Sequence, residues 1–201
     1  VYFSIRDKKD VANGYSLDPE LNSDGILCPK CQHILKYKLN NYSSLGDFAC
    51  TNCDFKSPKI TYKLDKKDRL EANYSSFYLG NEFYEINVGG LYNIYNALAA
   101  ISCAKELGLS YDEIYRGLKN QKNVFGRQEN IRINDKNLII NLVKNPTGLN
   151  QIIDLMLLEK EPISLICLLN DNYADGTDVS WIYDSYYEKL KDLDIKDIYV
   201  S

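Results

Sequence analysis

Four of the six cysteines stand in one pattern, C-x2-C-x18-C-x2-C, made by Cys28, Cys31, Cys50 and Cys53 in CPKCQHILKYKLNNYSSLGDFACTNC. Each C-x2-C knuckle offers two thiolates, and the segment between can fold back as a hairpin that brings the pairs together tetrahedrally. That is zinc chemistry. Four thiolates fill the shell and leave no open position, so the expected zinc is structural. A pair of disulfides is the alternative, and it would need an oxidising compartment.

A second group of chemically capable residues lies in LLNDNYADGTDVSWIYD, residues 168 to 184, which puts Asp171, Asp175 and Asp178 directly after a short apolar run. Such a loop can hold a cation, orient a catalytic base, or only solvate a turn. A calcium loop starting at Asp171 would have Asp175 and Gly176 correctly placed, but Tyr173 and Ile182 stand where ligands belong. Asp178 and Ser180 are good helix N-cap types, which favours the turn-and-cap reading locally. Orienting a base would require a histidine. His33 is the only one, and it lies inside the cysteine segment, so that imidazole would have to come from another protein.

Three weaker signals remain. KNPTG, residues 144 to 148, is a turn signature whose Lys144 and Asn145 could also contact a substrate. GRQE, residues 126 to 129, reads as a linker, and Arg127 in it as structural. Asn93 and Asn96 are polar on a helix whose pattern calls for apolar or small residues, so Asn96 could cap a backbone group or touch a ligand. Cys103 and Cys167 lie in apolar stretches and read as core residues.

These groups need elements to position them. A strand (VYFSIRD) opens the chain and KITYKL forms another. Tyr92 to Leu107 has helical periodicity, Gly108 stops it, and Ser110 with Glu113 makes a capping box for a helix over Tyr111 to Lys119. Then Lys136 to Val143 reads as a strand, and Thr147 can cap a helix to about Lys160. Ile163 to Leu169 is the next strand, with a helix from about Ser180 to Leu193 and a last strand over Lys196 to Val200. Alternating strands and helices with apolar strands imply a buried parallel sheet. Ligands gather at the carboxyl ends of such strands, where both KNPTG and the acidic loop fall.

With Lys and Arg numbering 24 against 28 Asp and Glu, the net charge is −4, which argues against a nucleic-acid footprint. No apolar stretch is long enough for a transmembrane segment and no signal peptide opens the chain, so the cytoplasm is the default compartment. Both ends fall in or beside strand-like runs and read as cuts in a longer protein.

Taken in order, CPKC…CTNC, GLYNIYNALAA, FGRQE, LVKNPTGLNQ and LNDNYADGTDVSWIYD resemble the MurT family, the Mur-ligase-like subunit of lipid II isoglutaminyl synthase. The resemblance covers nearly the whole chain. N-x-x-N-A-x-A-A and G-R-x-E are shared by Mur ligases generally, whereas the four-cysteine ribbon and the acidic loop are more specific. It implies an α/β fold: the later part of a Mur-ligase central, ATP-binding domain over 1–123, with a zinc ribbon inserted at about 26–62, then the first part of a Rossmann-like carboxy-terminal domain over 124–201. It implies ATP with Mg as cofactor and amidation of the α-carboxylate of D-Glu in the lipid II stem peptide, through an acyl phosphate attacked by ammonia. The ammonia comes from glutamine hydrolysed by a GatD-type partner, and an Asp of the Mur-like subunit completes the partner's triad. Asp171 is the first choice for that role and Asp175 the second. By the same resemblance Asn96 lies near the adenine, Arg127 reaches the ATP phosphates, and Lys144 and Asn145 face the substrate. The departure is that the sequence contains no P-loop ending in Gly-Lys-Thr/Ser, so this chain alone should not ligate. A zinc-ribbon adaptor binding a protein or nucleic acid is the competing reading, because the ribbon is mildly basic and carries aromatics. It does not account for the two loops at strand ends.

Overall fold

The computed structural model describes residues 1–20, 26–121, 126–170, 172 and 177–201. The chain divides into two compact units, Val1–Lys122 and Asn123–Ser201.

In the first unit a four-stranded sheet has the order β1 (Phe3–Ile5), β4 (Tyr62–Leu70), β5 (Ser75–Leu79), β6 (Glu82–Ile86). β1 runs parallel to β4, and the other neighbours are antiparallel. Ile5, Leu64, Phe77, Tyr84 and Ile86 project from this sheet into a core shared with two helices, α1 (Leu91–Glu106) and α2 (Tyr111–Lys119). Spacing at three and four residues puts Ile94, Leu98 and Ile101 of α1 on the face that enters the core. Gly108, with φ of 83°, takes the left-handed conformation that ends α1. The Ser110–Glu113 capping box then starts α2 where the sequence places it.

Two sequence expectations change here. Only the last three residues of KITYKL, Tyr62 to Leu64, begin β4, which continues through the polar run to Leu70. The sheet also contains the β5–β6 hairpin around Gly80-Asn81, which the periodicity reading passed over.

Between β1 and β4 the chain makes a second hairpin, β2 (Leu35–Tyr42) and β3 (Leu45–Cys50), turned by Ser43-Ser44. β2 alternates, with Leu35, Tyr37 and Leu39 buried and the residues between them half-buried. Tyr37 packs on Phe48, and Phe48 on Phe55, each pair with ring centroids 5.7 Å apart. A Cβ at Gly46 would stand 2.0 Å from the Leu39 carbonyl oxygen, so only glycine permits this approach of β3 to β2.

In the second unit β7 (Arg127–Ile133) and β8 (Lys136–Asn141) form an antiparallel hairpin around Asn134-Asp135. α3 (Pro146–Met156) follows, then β9 (Ile163–Cys167), two 3-10 turns (Ser180–Asp184 and Tyr187–Asp192), and β10 (Ile195–Val200) parallel to β9. The strand read at Lys136 to Val143 thus pairs antiparallel with β7, and among the described residues of this unit the parallel pairing is between β9 and β10. GRQE is not a linker, because Arg127 to Glu129 open β7. The helix expected from Ser180 is replaced by the two turns. Buried Asn150 accepts the Tyr186 backbone N–H at 2.8 Å, a donor that a continuous helix would have used internally. α3 begins at Pro146 rather than beyond Thr147, capped by Asn145.

Candidate functional site

The two cysteine knuckles are built alike. The N–H of Cys28 donates to the His33 carbonyl at 2.7 Å, and the N–H of Cys50 donates to the Phe55 carbonyl at 2.8 Å. Each turn therefore closes five residues on and aims its two sulfurs inward. The N–H of Asn52 also points at Cys50 Sγ, 3.4 Å away. All four sulfurs lie within 4.8 Å of one another, with Cys31–Cys50 at 3.4 Å, Cys31–Cys53 at 3.5 Å and Cys28–Cys53 at 3.6 Å. Zn–S bonds of about 2.3 Å in a tetrahedron require sulfurs about 3.8 Å apart, so the donor set fits zinc with small adjustment.

The electrostatics point the same way. The His33 backbone N–H, working against burial and aided by the Cys50 and Cys53 thiols, holds Cys31 down to about 6. The Phe55 backbone N–H lowers Cys53, but burial and the three neighbouring sulfurs outweigh it and push that thiol up to about 12. Four thiolates cannot share this volume unless a cation sits among them. The cluster is lined by Leu35, Tyr37, Phe48 and Phe55, and Cys28 is fully buried. His33 turns outward, its Nδ1 2.9 Å from the Cys31 carbonyl oxygen, which fixes the ring beside the first knuckle. The exposed Lys30–Asp54 pair, 3.2 Å, joins one knuckle to the other.

Asn93 and Asn96 sit on the first turns of α1. Asn93 Nδ2 donates to the Gly89 carbonyl at 2.7 Å, which is a local backbone role. Asn96 is exposed, and its Nδ2 lies 3.4 Å from Asn93 Oδ1, leaving the side chain facing outward from the helix. Cys103, expected in the core, is exposed on α1. It follows the buried Ile101 and Ser102 by a step that rotates it off the packed face. Cys167 is half-buried on β9.

Arg127 is exposed because of a bulge. The β7–β8 register shifts between Arg127 and Glu129, and Gln128 between them is buried with φ of 51°. The Gln128 N–H donates to Asn141 Oδ1 at 3.2 Å, and the Gly126 N–H to Glu129 Oε2 at 3.1 Å. A non-glycine residue in the left-handed region stores strain, and a bulge that redirects a side chain is a usual place to find it. Reading by sequence missed Gln128; its only signal was the Gly-Arg-Gln run opening a strand of alternating Ile residues. Because Arg127 pairs with Asn141, the last residue of β8, the KNPTG loop leaves the hairpin at the Arg127 end. Lys144 is exposed there. Asn145 caps α3, its Oδ1 accepting the Gly148 N–H at 2.7 Å, so a substrate contact from Asn145 would have to come from its Nδ2.

Asp171 and Asp175 lie outside the described residues. At the rim of their loop, Asn170 Oδ1 accepts both the N–H and the Nδ2 of Asn172, at 3.1 and 2.7 Å. Asp178 accepts from the N–H and hydroxyl of Ser180 at 2.9 and 2.6 Å, and the hydroxyl first, then the N–H, hold its carboxyl below the ordinary range. These contacts tie Asp178 to the first residue of the first 3-10 turn, whose N-cap position is Val179.

The family described as MurT ligase C-terminal matches residues 142–201. Over 189 residues, covering 94% of this chain and 42% of the relative, the chain is 46% identical to the Streptococcus pneumoniae protein named lipid II isoglutaminyl synthase (glutamine-hydrolyzing) subunit MurT. It therefore spans about two fifths of the length of that curated relative. Among solved structures, a pseudomurein peptide ligase type C from Methanothermus fervidus superposes with a TM-score of 0.66 at 22% identity, over 98% of this chain and 41% of that one. MurF from Acinetobacter baumannii superposes with a TM-score of 0.54 at 20% identity, over 72% and 32%. These two establish a Mur-ligase-like α/β fold. By sequence identity along almost all of its length, with the family match over residues 142–201, the chain belongs to the MurT family.

Proposed function

We propose that this chain is part of an ATP-dependent amidating ligase that converts the α-carboxylate of D-Glu in the lipid II stem peptide to the carboxamide of D-isoglutamine. The observation that carries this reading is the 46% identity over 94% of the chain to a subunit bearing that enzyme's name. The carboxylate is first phosphorylated, which turns a poor leaving oxygen into phosphate; ammonia then attacks the acyl carbon and phosphate departs. Asn96, facing outward from α1, contacts the adenine. Arg127, turned out by its bulge, offers a planar cation to the phosphates as charge builds on them. Lys144 and the Asn145 Nδ2 face the substrate. Zinc held by Cys28, Cys31, Cys50 and Cys53 is structural, since four thiolates close its shell. ATP and Mg supply the phosphoryl group and its charge neutralisation when bound, and the sequence holds no P-loop of its own.

The ammonia comes from glutamine hydrolysed by a GatD-type amidotransferase subunit. Asp171, or failing it Asp175, orients the partner's histidine and stabilises its imidazolium, as the third member of a triad does. No described helix is long and apolar enough to cross a membrane. The complex acts at the cytoplasmic membrane face through its lipid II substrate.

The test uses the full-length protein with its amidotransferase partner, and measures glutamate release for wild type, Asp171→Asn and Asp175→Asn. One substitution is expected to abolish glutamine hydrolysis while the complex still forms and still amidates with ammonium supplied directly. If both variants hydrolyse glutamine at the wild-type rate, the loop does not serve the partner and this assignment is wrong.

A further inference from the structure

The end of the ribbon hairpin away from the cysteines touches α1. Leu35 pairs with Cys50 at the metal end of the hairpin, whereas Tyr42 pairs with Leu45 at the opposite end. There Asn41 Nδ2 donates to the Tyr95 hydroxyl at 2.6 Å and to the Ile5 carbonyl at 3.1 Å. The Ser4 hydroxyl lies 3.3 Å from the same phenol, and the Ile5 N–H donates to it at 3.4 Å. The Tyr42 ring meets Tyr95 edge-on, with centroids 5.5 Å apart and planes at 87°. From the other strand Asp47 stands 3.7 Å from Arg6, whose guanidinium donates to Ser4 at 2.9 Å. Tyr95 is almost fully buried. A leucine would fill an apolar pocket there. A phenol with this set of partners instead fixes one orientation of the helix, because a shift would leave buried polar groups unpaired.

The contact lies near the start of α1. The helix N-cap is Gly90, with φ of 88° and no side-chain capping bond. The polar contacts of Tyr95 lie one residue from Asn96, so any slide or rotation of the helix displaces both. Reactant groups lose much of their effect when misplaced by about 1 Å.

We propose that Asn41 and Tyr95 form a latch through which the cysteine ribbon positions α1, making Asn41 and Tyr95 positioning residues for nucleotide binding. This rests on the assignment of Asn96 to the nucleotide above. Coupling of this kind is reciprocal: if the latch tightens nucleotide binding, nucleotide must stabilise the hairpin by the same factor.

The experiment uses the full-length protein with its amidotransferase partner, as wild type, Tyr95→Phe, which removes only the hydroxyl, and Asn41→Leu. The KM for ATP is expected to rise about fivefold or more in both variants, the lower range of allosteric coupling, with kcat and glutamine hydrolysis unchanged. A nonhydrolysable ATP analogue is expected to slow amide exchange over residues 35–50 in wild type and not in the variants, a readout independent of turnover and of metal content. Variants that melt with wild type but keep its KM and its nucleotide-dependent protection overturn the latch alone. A wild-type complex with no affinity for the analogue overturns the latch together with the nucleotide assignment it rests on.

Discussion

Stripping the zinc proposed for the cysteine cluster should melt the ribbon hairpin and leave the helical core standing. β2 and β3 contribute 8 and 6 residues. Ordering their backbone costs roughly 1–1.5 kcal/mol per residue, about 14–21 kcal/mol together. Against this the hairpin buries three large apolar side chains, Leu35, Tyr37 and Leu39, which contribute about 5–7 kcal/mol. A structural zinc in a small cysteine site contributes about 10–16 kcal/mol, so the two together offset the ordering and burial alone does not. α1 draws on a different core, with Ile94, Leu98 and Ile101 packed on Ile5, Leu64 and Phe77. The assay is amide hydrogen exchange on the full-length protein before and after treatment with a strong zinc chelator, metal loss being followed by elemental analysis. Protection over residues 35–50 should fall by at least about a thousandfold, equivalent to about 4 kcal/mol, while residues 91–106 keep theirs. Hairpin protection that survives complete metal loss within a factor of about ten would refute the reasoning.

Three further outcomes follow from single contacts. Lys119 first, then Tyr115 and Tyr74, hydrogen-bond Glu85 at 2.8, 2.5 and 2.8 Å and hold its carboxyl down at about 2. Glu85→Gln should therefore cost about 1–2 kcal/mol at neutral pH, below the full linkage value because Lys119 is solvent-exposed. Since the folded carboxyl is depressed, that contribution is complete above pH of about 4.5 and lost as pH falls toward about 2, so urea midpoints of wild type and variant should converge across that window. Asn145→Ala removes the α3 cap and should lower stability by about 1 kcal/mol in the same assay. Gly89→Ala would put a Cβ 2.1 Å from the Glu71 carbonyl oxygen and 2.3 Å from the Ala72 carbonyl carbon. Backbone must move to admit it, so a loss above about 2 kcal/mol by thermal melting is expected.

What the sequence made legible was whatever is coded locally. α2 begins and ends where Ser110, Glu113 and Lys119 say, since a capping box is satisfied by four consecutive residues. The cysteine spacing foretold the convergence of the sulfurs, because knuckle geometry depends on so few bonds. The β5–β6 hairpin was missed although Gly80-Asn81 is a two-residue turn signal; the apolar and aromatic residues around it gave no clean alternation. The 3-10 turns could not be read from SWIYDSYYEKLKDL, because the Tyr186 N–H between them is taken by Asn150, more than thirty residues away in sequence. For the same reason the bulge at Gln128 and the Asn41–Tyr95 contact stayed hidden. Arg127 and Asn96 take nucleotide roles only from the family resemblance, since a lone Arg on a strand and a lone Asn on a helix point to no particular ligand.

The most direct test of the proposed function is product analysis by mass spectrometry after incubating the full-length protein and its amidotransferase partner with lipid II, ATP and glutamine labelled with ¹⁵N at the side-chain amide. The account requires conversion of one stem-peptide carboxylate to a ¹⁵N-carboxamide at D-Glu, with one ADP formed per amide and no product when ATP is omitted. ATP-dependent addition of a whole amino acid to the stem peptide, or unmodified lipid II beside active glutamine hydrolysis and intact complex, would contradict it.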